Sequence, residues 1–375
     1  MTALQLSRRT RDLHPSPIRE ILAVIDRPGM ISFAGGLPAA EAFPPLSSGN
    51  VPTGLLQYGP TEGEPALRER VATELTALGL RCTAEQVLIL SGSQQGIDLV
   101  AKLFIDEGTR VAVESPTYLA ALQVFRYFGA RFVGMEANHW LDQDQPPALA
   151  YAIPTFQNPT GHCYSAAARV ALAAQCDACE VPLFEDDPYR DLVYEACDRQ
   201  PICSQLERAP WIYQGSFSKS FAPGLRLGYL AASPALVPLL TRLKQAADLH
   251  SNRVSQWLCL QFLEDPARHQ RLARLAATYR DKRDAFAQSL ARHFDGVARW
   301  STPPGGLFFW LSLNAALDTR TQLPQAIARG VAFMPGEAFF VLPEEGLGTV
   351  RLNFSHATVA EADKGLAILA DLLCA

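Results

Sequence analysis

The chain has 375 residues, 48% of them hydrophobic, and a formal net charge of −5 with both signs interspersed. That length allows two domains and a sizeable core, while the lack of any Lys/Arg block speaks against nucleic acid or an anionic membrane as partner. The opening MTALQLSRRTRDLHPSP holds no apolar run of signal-peptide length, and nothing approaches the roughly 18 apolar residues of a membrane span, so the expected compartment is the cytoplasm.

Ser16-Pro17 opens a predicted helix, with serine at the N-cap and proline at N1, that runs through IREILAVID and stops at Pro28-Gly29. ISFAGGLPAAEAFP then reads as a short strand followed by turns. Its Gly35-Gly36 pair either lets backbone approach a ligand or simply makes a turn. Gln57-Tyr58-Gly59-Pro60 precedes a helix from Glu64 to Leu78.

From Val87 onward short apolar runs alternate with helical ones. Candidate strands are Val87–Leu90, Arg110–Glu114, Phe132–Met135, Leu149–Ile153, Leu183–Asp186, Ile212–Gly215 and Arg226–Ala231. Helical patterns cover Gln94–Asp106, Leu119–Phe128 and Ala166–Glu180. Near-continuous apolar strands between helices predict an α/β fold with a mostly parallel seven-stranded sheet covered on both faces. The polar, proline-containing span Asn138–Pro147 reads as a loop.

A helix is expected from Ser233, with Pro234 at N1, then long helices from Val254 to Phe294 interrupted at Pro266. Short strands at Leu307–Leu311, Val331–Met334 and Val350–Phe354 and a last helix, Val359–Leu373, predict a smaller α+β domain. The expected division is a large domain of residues 33–250 and a small one made of 1–32 with 251–375. Among the eight cysteines, Cys176 and Cys179 form a C-x-x-C. It lies within a helical pattern, no second pair follows and no histidine sits at ligand spacing, so no metal is assigned.

The chemistry concentrates in SFSKSFAPGLRLG, Ser216 to Gly228, which joins two strand-like runs. The chain has five lysines; Lys102, Lys244, Lys282 and Lys364 fall in helical patterns among polar neighbours, and only Lys219 sits between strands. Held out of water on such a connection, a lysine loses basicity and becomes a usable amine nucleophile. Ser216, Ser218, Ser220 and Arg226 supply what a phosphate group needs. Schiff-base lysine plus phosphate clamp is the requirement of pyridoxal 5'-phosphate, PLP, against the plainer reading of a surface lysine in a polar loop.

Three other strand ends are weaker signals alone. Ser91-Gly92-Ser93-Gln94 joins strand to helix, where a phosphate binds well. Asn158-Pro159-Thr160-Gly161 is by itself only a turn. Glu185-Asp186-Asp187-Pro188-Tyr189 places carboxylates where ligands sit in open α/β sheets, or merely caps a helix.

In order, the pieces read SGSQ, Tyr118, NPTG, DxxY, SxSK, Arg226 and finally Arg351 in VRLNFS. With this set the chain resembles the class I/II, fold-type I PLP-dependent aminotransferases over essentially its whole length. It is most similar to the branch of 2-aminoadipate and kynurenine/2-aminoadipate aminotransferases, through SPIRE, ISFAGGLP, QYGPTEG, SGSQQGIDL, QNPTG, EDDPY, GSFSK, PGLRLG and RLNFS. The resemblance implies that Lys219 attaches the cofactor and moves the proton. Asp186 would pair with the ring nitrogen, Asn158 and Tyr189 would bond the phenolic oxygen, and Tyr118 would lie on the ring face. Ser93, Gln94, Ser216, Ser218 and Arg226 would hold the phosphate, with Tyr58 from a second subunit of a homodimer. Asn158 and Arg351 would hold the substrate α-carboxylate, Gly36 would lie in the substrate-side loop, and Arg19 would meet a distal carboxylate.

The implied reaction moves an amino group between an α-amino acid (2-aminoadipate, glutamate, aromatic or aliphatic) and a 2-oxo acid such as 2-oxoglutarate. Other PLP chemistry, a β-lyase or a decarboxylase, is the enzymatic alternative, and a PLP-binding sensor without turnover is the alternative of another class. Two departures stand out. The segment between Met135 and Ala150 is short for the family, and with an arm of about fifteen residues before the first helix the winged helix-turn-helix of related regulators is not expected.

Overall fold

The computed structural model describes residues 7–10, 27–39, 43–44, 49, 51–135, 140 and 145–373; the helix expected from Ser16, and Arg19 with it, lies outside them. In chain order β1 (Ile31–Ser32) and α1 (Pro65–Ala77) lead to β2 (Val87–Leu90), α2 (Ser93–Phe104), β3 (Arg110–Val113), α3 (Leu119–Tyr127) and β4 (Arg131–Gly134). Then come β5 (Leu149–Ala152), α4 (Ala166–Cys179), β6 (Leu183–Asp187), β7 (Trp211–Ser216), β8 (Gly228–Ala232) and α5 (Val237–Asp248). Strands β2 to β8 form one seven-stranded sheet in the order β2-β8-β7-β6-β5-β3-β4. All its pairings are parallel except those of β8, which runs against both of its neighbours.

The strands read as unbroken apolar runs because both faces are covered. Successive side chains still alternate in direction. Val87 and Ile89 face the core built with Leu75 of α1 and Phe262, whereas Leu88 and Leu90 face the core built with Ile97 of α2 and Phe125 of α3. Only β4, at the sheet edge, is partly exposed along its whole length.

The C-terminal part holds α6 (Arg253–Glu264), α7 (Arg268–Phe294), β9 (Ala298–Trp300), β10 (Phe308–Leu313), α8 (Leu323–Ala328), β11 (Val331–Ala332), β12 (Met334–Pro335), β13 (Thr349–Asn353) and α9 (Val359–Leu373). A four-stranded antiparallel sheet, β12-β13-β10-β9, and the parallel pair β1–β11 pack with α7 and α9 around Phe33, Phe286, Phe309, Phe354 and Leu366. Helix α6 contributes Cys259, Phe262 and Leu263 to a core of the large sheet. We propose residues 33–250, and 1–32 with 251–375, as the two functional units, with Leu272 of α7 packed against both cores.

Three expectations change. The helix after β8 begins at Val237 instead of behind Ser233. Ser233 is tied to the sheet, its Oγ accepting from Trp211 N at 2.8 Å and its N donating to Trp211 O at 2.9 Å, so it cannot cap. The single strand expected at Val331–Met334 is two, β11 pairing with β1 and β12 with β13 on either side of buried Phe333. Lys244, expected among polar neighbours, is fully buried.

Candidate active site

Strands β2, β3, β5, β6 and β7 point the same way, and the loops leaving their carboxyl ends converge, as ligand sites do in such sheets. They enclose a cavity of about 240 Å³. The β7–β8 connection brings Ser216, Ser218, Lys219 and Arg226 to it; the start of α2 brings Ser93 and Gln94; β3 is followed by Tyr118, and β5 by Asn158. Asp186 lies one residue before the end of β6 and Tyr189 follows it, while Gly36 and Arg351 enter from the C-terminal part's side, on the segment after β1 and on β13.

Lys219 Nζ donates to Gly36 O at 2.8 Å. Burial, with the Arg351 and Arg226 guanidinium groups nearby, lowers its pKa to about 8. Asp186 is also buried. Its Oδ1 accepts from Gln214 Nε2 and its Oδ2 from the Tyr151 hydroxyl, both at 2.9 Å. Desolvation outweighs those bonds and raises its pKa to about 6. A carboxylate so placed favours a cation opposite it.

Arg351 Nη1 donates to Asn158 Oδ1 at 2.8 Å and Nη2 to Ala34 O at 2.5 Å. Its guanidinium carbon lies 4.2 Å from the Phe308 ring centroid and 4.9 Å from that of Phe339. Burial without a carboxylate partner lowers its pKa to about 10, and its Nε has no hydrogen-bond partner among the described residues. Asn158 Nδ2 donates to Tyr189 Oη at 3.5 Å, and burial raises the pKa of Tyr189. Tyr118 Oη donates to Gln94 Oε1 at 3.5 Å, and burial raises its pKa too.

The opposite end of the cavity is a set of donors. Gly92 (φ 87°) turns the chain into α2, and a Cβ there would lie 2.5 Å from Arg226 Nη2. Only glycine lets that guanidinium approach the helix N-terminus. Arg226 itself is left-handed (φ 51°), and a Cβ at Gly228 would lie 2.9 Å from Ser93 N. Free helix amides, serine hydroxyls and a guanidinium suit a phosphate dianion. The chain therefore fits PLP on three counts: a donor cradle for the phosphate, Asp186 for the ring nitrogen, and a primary amine of lowered basicity for the aldehyde.

Tyr58 is not brought to this cavity. It is 75% exposed, its ring edge-on to His250 with centroids 5.8 Å apart. Sequence reasoning missed Tyr151, Gln214 and Phe308. A glutamine inside the otherwise apolar run WIYQG was a legible signal for Gln214; a tyrosine in LAYA and a phenylalanine in FFWLSL carried none. Among the described residues no cluster of His, Cys, Asp and Glu could hold a metal, and no helix is long and apolar enough to cross a membrane.

A family model described as aminotransferase class I and II matches residues 50–369. The chain is 38% identical to the 2-aminoadipate transaminase of Thermus thermophilus, over 92% of this chain and 90% of that protein. It is 34% identical to aromatic-amino-acid aminotransferase 1 of Thermococcus litoralis, over 98% and 93%. Among solved structures it is similar to an α-aminoadipate aminotransferase of Thermus thermophilus complexed with N-(5'-phosphopyridoxyl)-L-leucine, with a TM-score of 0.87 and 35% identity over 98% of this chain and 97% of that one.

Proposed function

The chain belongs to the class I and II aminotransferases, enzymes with PLP as cofactor, and from that premise we propose that it moves an amino group between 2-aminoadipate or glutamate and a 2-oxo acid such as 2-oxoglutarate. Aromatic and aliphatic donors are further substrates in this reading, supported by relatives named for aromatic amino acids and for kynurenine. The observation that carries it is the buried Arg351–Asn158 pair, with an unused guanidinium Nε, in the same cavity as Lys219. That is a receptor for an α-carboxylate beside a base.

When bound, PLP supplies an electron-accepting ring for the pair left on Cα as it loses its proton. The residues do the rest. Lys219 as a neutral amine would take the proton from Cα and hand it on to the cofactor carbon. Arg351 grips the α-carboxylate with parallel N–H bonds and so fixes which Cα bond stands toward Lys219. Asp186 would hold a proton at the ring nitrogen, and Asn158 with Tyr189 would bond the phenolic oxygen. Ser93, Gln94, Ser216, Ser218 and Arg226 would bind the phosphate, with Tyr58 from the partner chain of a homodimer. Tyr118 would lie on the ring face. At Gly36 a Cβ would lie 3.2 Å from Phe308 and 4.0 Å from Lys219 Nζ, so glycine keeps the substrate side open. In this reading the enzyme works in the cytoplasm.

Arg19 reads the distal carboxylate in this proposal. No carboxylate lies three or four residues from it in sequence, the spacing that would pair with it on the helix expected there. The test is a donor–acceptor screen of wild type and Arg19→Ala. Losing a charge-assisted bond of about 1–3 kcal/mol raises the Michaelis constant for glutamate and 2-aminoadipate, with apolar donors far less affected. Equal losses for acidic and apolar donors, or none, would remove Arg19 from the substrate site.

A further inference from the structure

Behind the Ser91–Gln94 turn lies a polar cluster that none of the chemistry above uses. Lys244, in the second half of α5, has a side chain 0% exposed. Its Nζ donates to both carboxylate oxygens of Asp248, at 2.7 and 3.0 Å, to Gln95 Oε1 at 3.2 Å and to Ser251 Oγ at 3.1 Å. Burying an ammonium is strongly unfavourable unless it is fully paired, and here every acceptor also holds the turn or its base. Gln95 Oε1 accepts from Ser91 N at 2.9 Å, Ser91 Oγ donates to Asp248 Oδ2 at 2.7 Å and lies 3.1 Å from Ser251 Oγ, and Ser251 Oγ donates to Ile89 O at 3.2 Å.

The backbone is bent to make this arrangement. Leu249 has φ 63° and ψ −61°, and His250 N closes a three-residue turn onto Asp248 O at 2.7 Å. This is the γ-turn of positive φ, rare and strained for a residue with a side chain. Leu249 is 42% exposed, so its own packing does not impose that conformation. The bend sets Asp248 and Ser251 where Lys244 reaches both, and strain kept in this way points to function. Neither Lys244 nor Asp248 lines the cavity.

We propose that Lys244 is a positioning residue for cofactor binding: through Gln95, Asp248 and Ser251 its ammonium locks the Ser91–Gln94 turn so that the first amides of α2 meet the phosphate in a fixed geometry. The effect falls mainly on the phosphate, since among the described residues the turn meets a ring-facing side chain through the 3.5 Å Tyr118–Gln94 bond and not through the cluster itself. It rests on the phosphate reading of that turn.

The test titrates apoprotein with PLP and with pyridoxal, which lacks the phosphate, following protein fluorescence. For Lys244→Met the dissociation constant for PLP rises about tenfold, the scale of one lost buried charged bond, while that for pyridoxal is unchanged. Ser91→Ala removes a single hydroxyl, keeps the test available if the methionine variant does not fold, and gives a smaller shift of the same selectivity. Equal weakening of both ligands, or PLP affinity intact in the folded variants, overturns the proposal. Ser93→Ala separates the two levels. If it binds PLP like wild type, the phosphate reading falls; if it weakens PLP while Lys244→Met and Ser91→Ala do not, only the role of Lys244 falls.

Discussion

Lys219 and Lys244 are both buried ammonium groups, and their partners set them apart. Burial lowers the pKa of both; at Lys244 a carboxylate opposes this, whereas at Lys219, which has one carbonyl, two neighbouring guanidinium groups add to it and the pKa falls from the ordinary value to about 8. At pH 7 roughly one Lys219 amine in ten is then neutral, against about one in three thousand at the ordinary value. PLP capture by the apoprotein is therefore expected to speed up about tenfold per pH unit below pH 8 and to level off above it, measured by stopped-flow absorbance. The linkage sign follows. Between pH 8 and the ordinary lysine value the folded chain binds fewer protons here than the unfolded one, so the apoprotein's stability rises with pH across that window. Below pH 8 the buried charge is a burden. Lys219→Ala should thus abolish transamination and the absorbance of the lysine-bound cofactor, while the apoprotein melts at pH 7 no lower than wild type. A fall of many degrees, or retained turnover, contradicts this reading. Lys219 was legible because a polar residue between two apolar strands has nowhere to go but a strand connection. Lys244 was not, because a helical pattern says nothing about which element lands on its polar face.

At the scale of elements, α2 shows how packing supports the site from behind. Gly96 faces β7, where a Cβ would lie 1.9 Å from Gln214 Oε1 and 2.9 Å from Leu90 Cδ1. Alanine gains about 1 kcal/mol of helix propensity over glycine, while overpacking a filled core costs about 1–3 kcal/mol. The second effect wins, because Gln214 is held by its bond to Asp186 and Leu90 is buried in the sheet. Gly96→Ala is expected to lower the melting temperature by a few degrees and, by pushing Gln214 off Asp186, to weaken PLP binding. Calorimetry and a PLP titration check both, and an unchanged pair of values would show that the contact is slack. The seven strands of the large sheet were legible to within two residues at each end, since apolar runs bounded by turns and helices leave little freedom. The misses have local causes. β9 is only three residues long, Phe333 is an apolar residue inside an apolar run yet marks the change of sheet, and Ser233 looked like a cap while its hydroxyl was claimed by Trp211.

For the whole molecule the question is why an exposed tyrosine is held so firmly. Arg253 Nη1 donates to Gly54 O at 2.7 Å, Gln57 O at 3.1 Å and Tyr58 O at 3.3 Å, while its Nε and Nη2 grip Glu64 at 2.5 and 3.2 Å. The loop's backbone is ordered, yet Leu56 is 74% and Tyr58 75% exposed. A turn tyrosine serving only its own chain needs no such bracing; a side chain offered to another subunit gains affinity from it, because the ordering entropy is already spent. We predict a dimer by sedimentation, with Tyr58→Phe weakening PLP binding by about three- to thirtyfold, the scale of one bond to a charged group. Mixed subunits decide whose phosphate Tyr58 meets. In a dimer of one Lys219→Ala and one Tyr58→Phe chain, a tyrosine that crosses the interface gives one site with both groups intact, and tight PLP binding with turnover returns at that site. A tyrosine that serves its own chain leaves every Lys219 site without it, and mixing restores nothing. A fully active monomer would end the shared-site proposal outright.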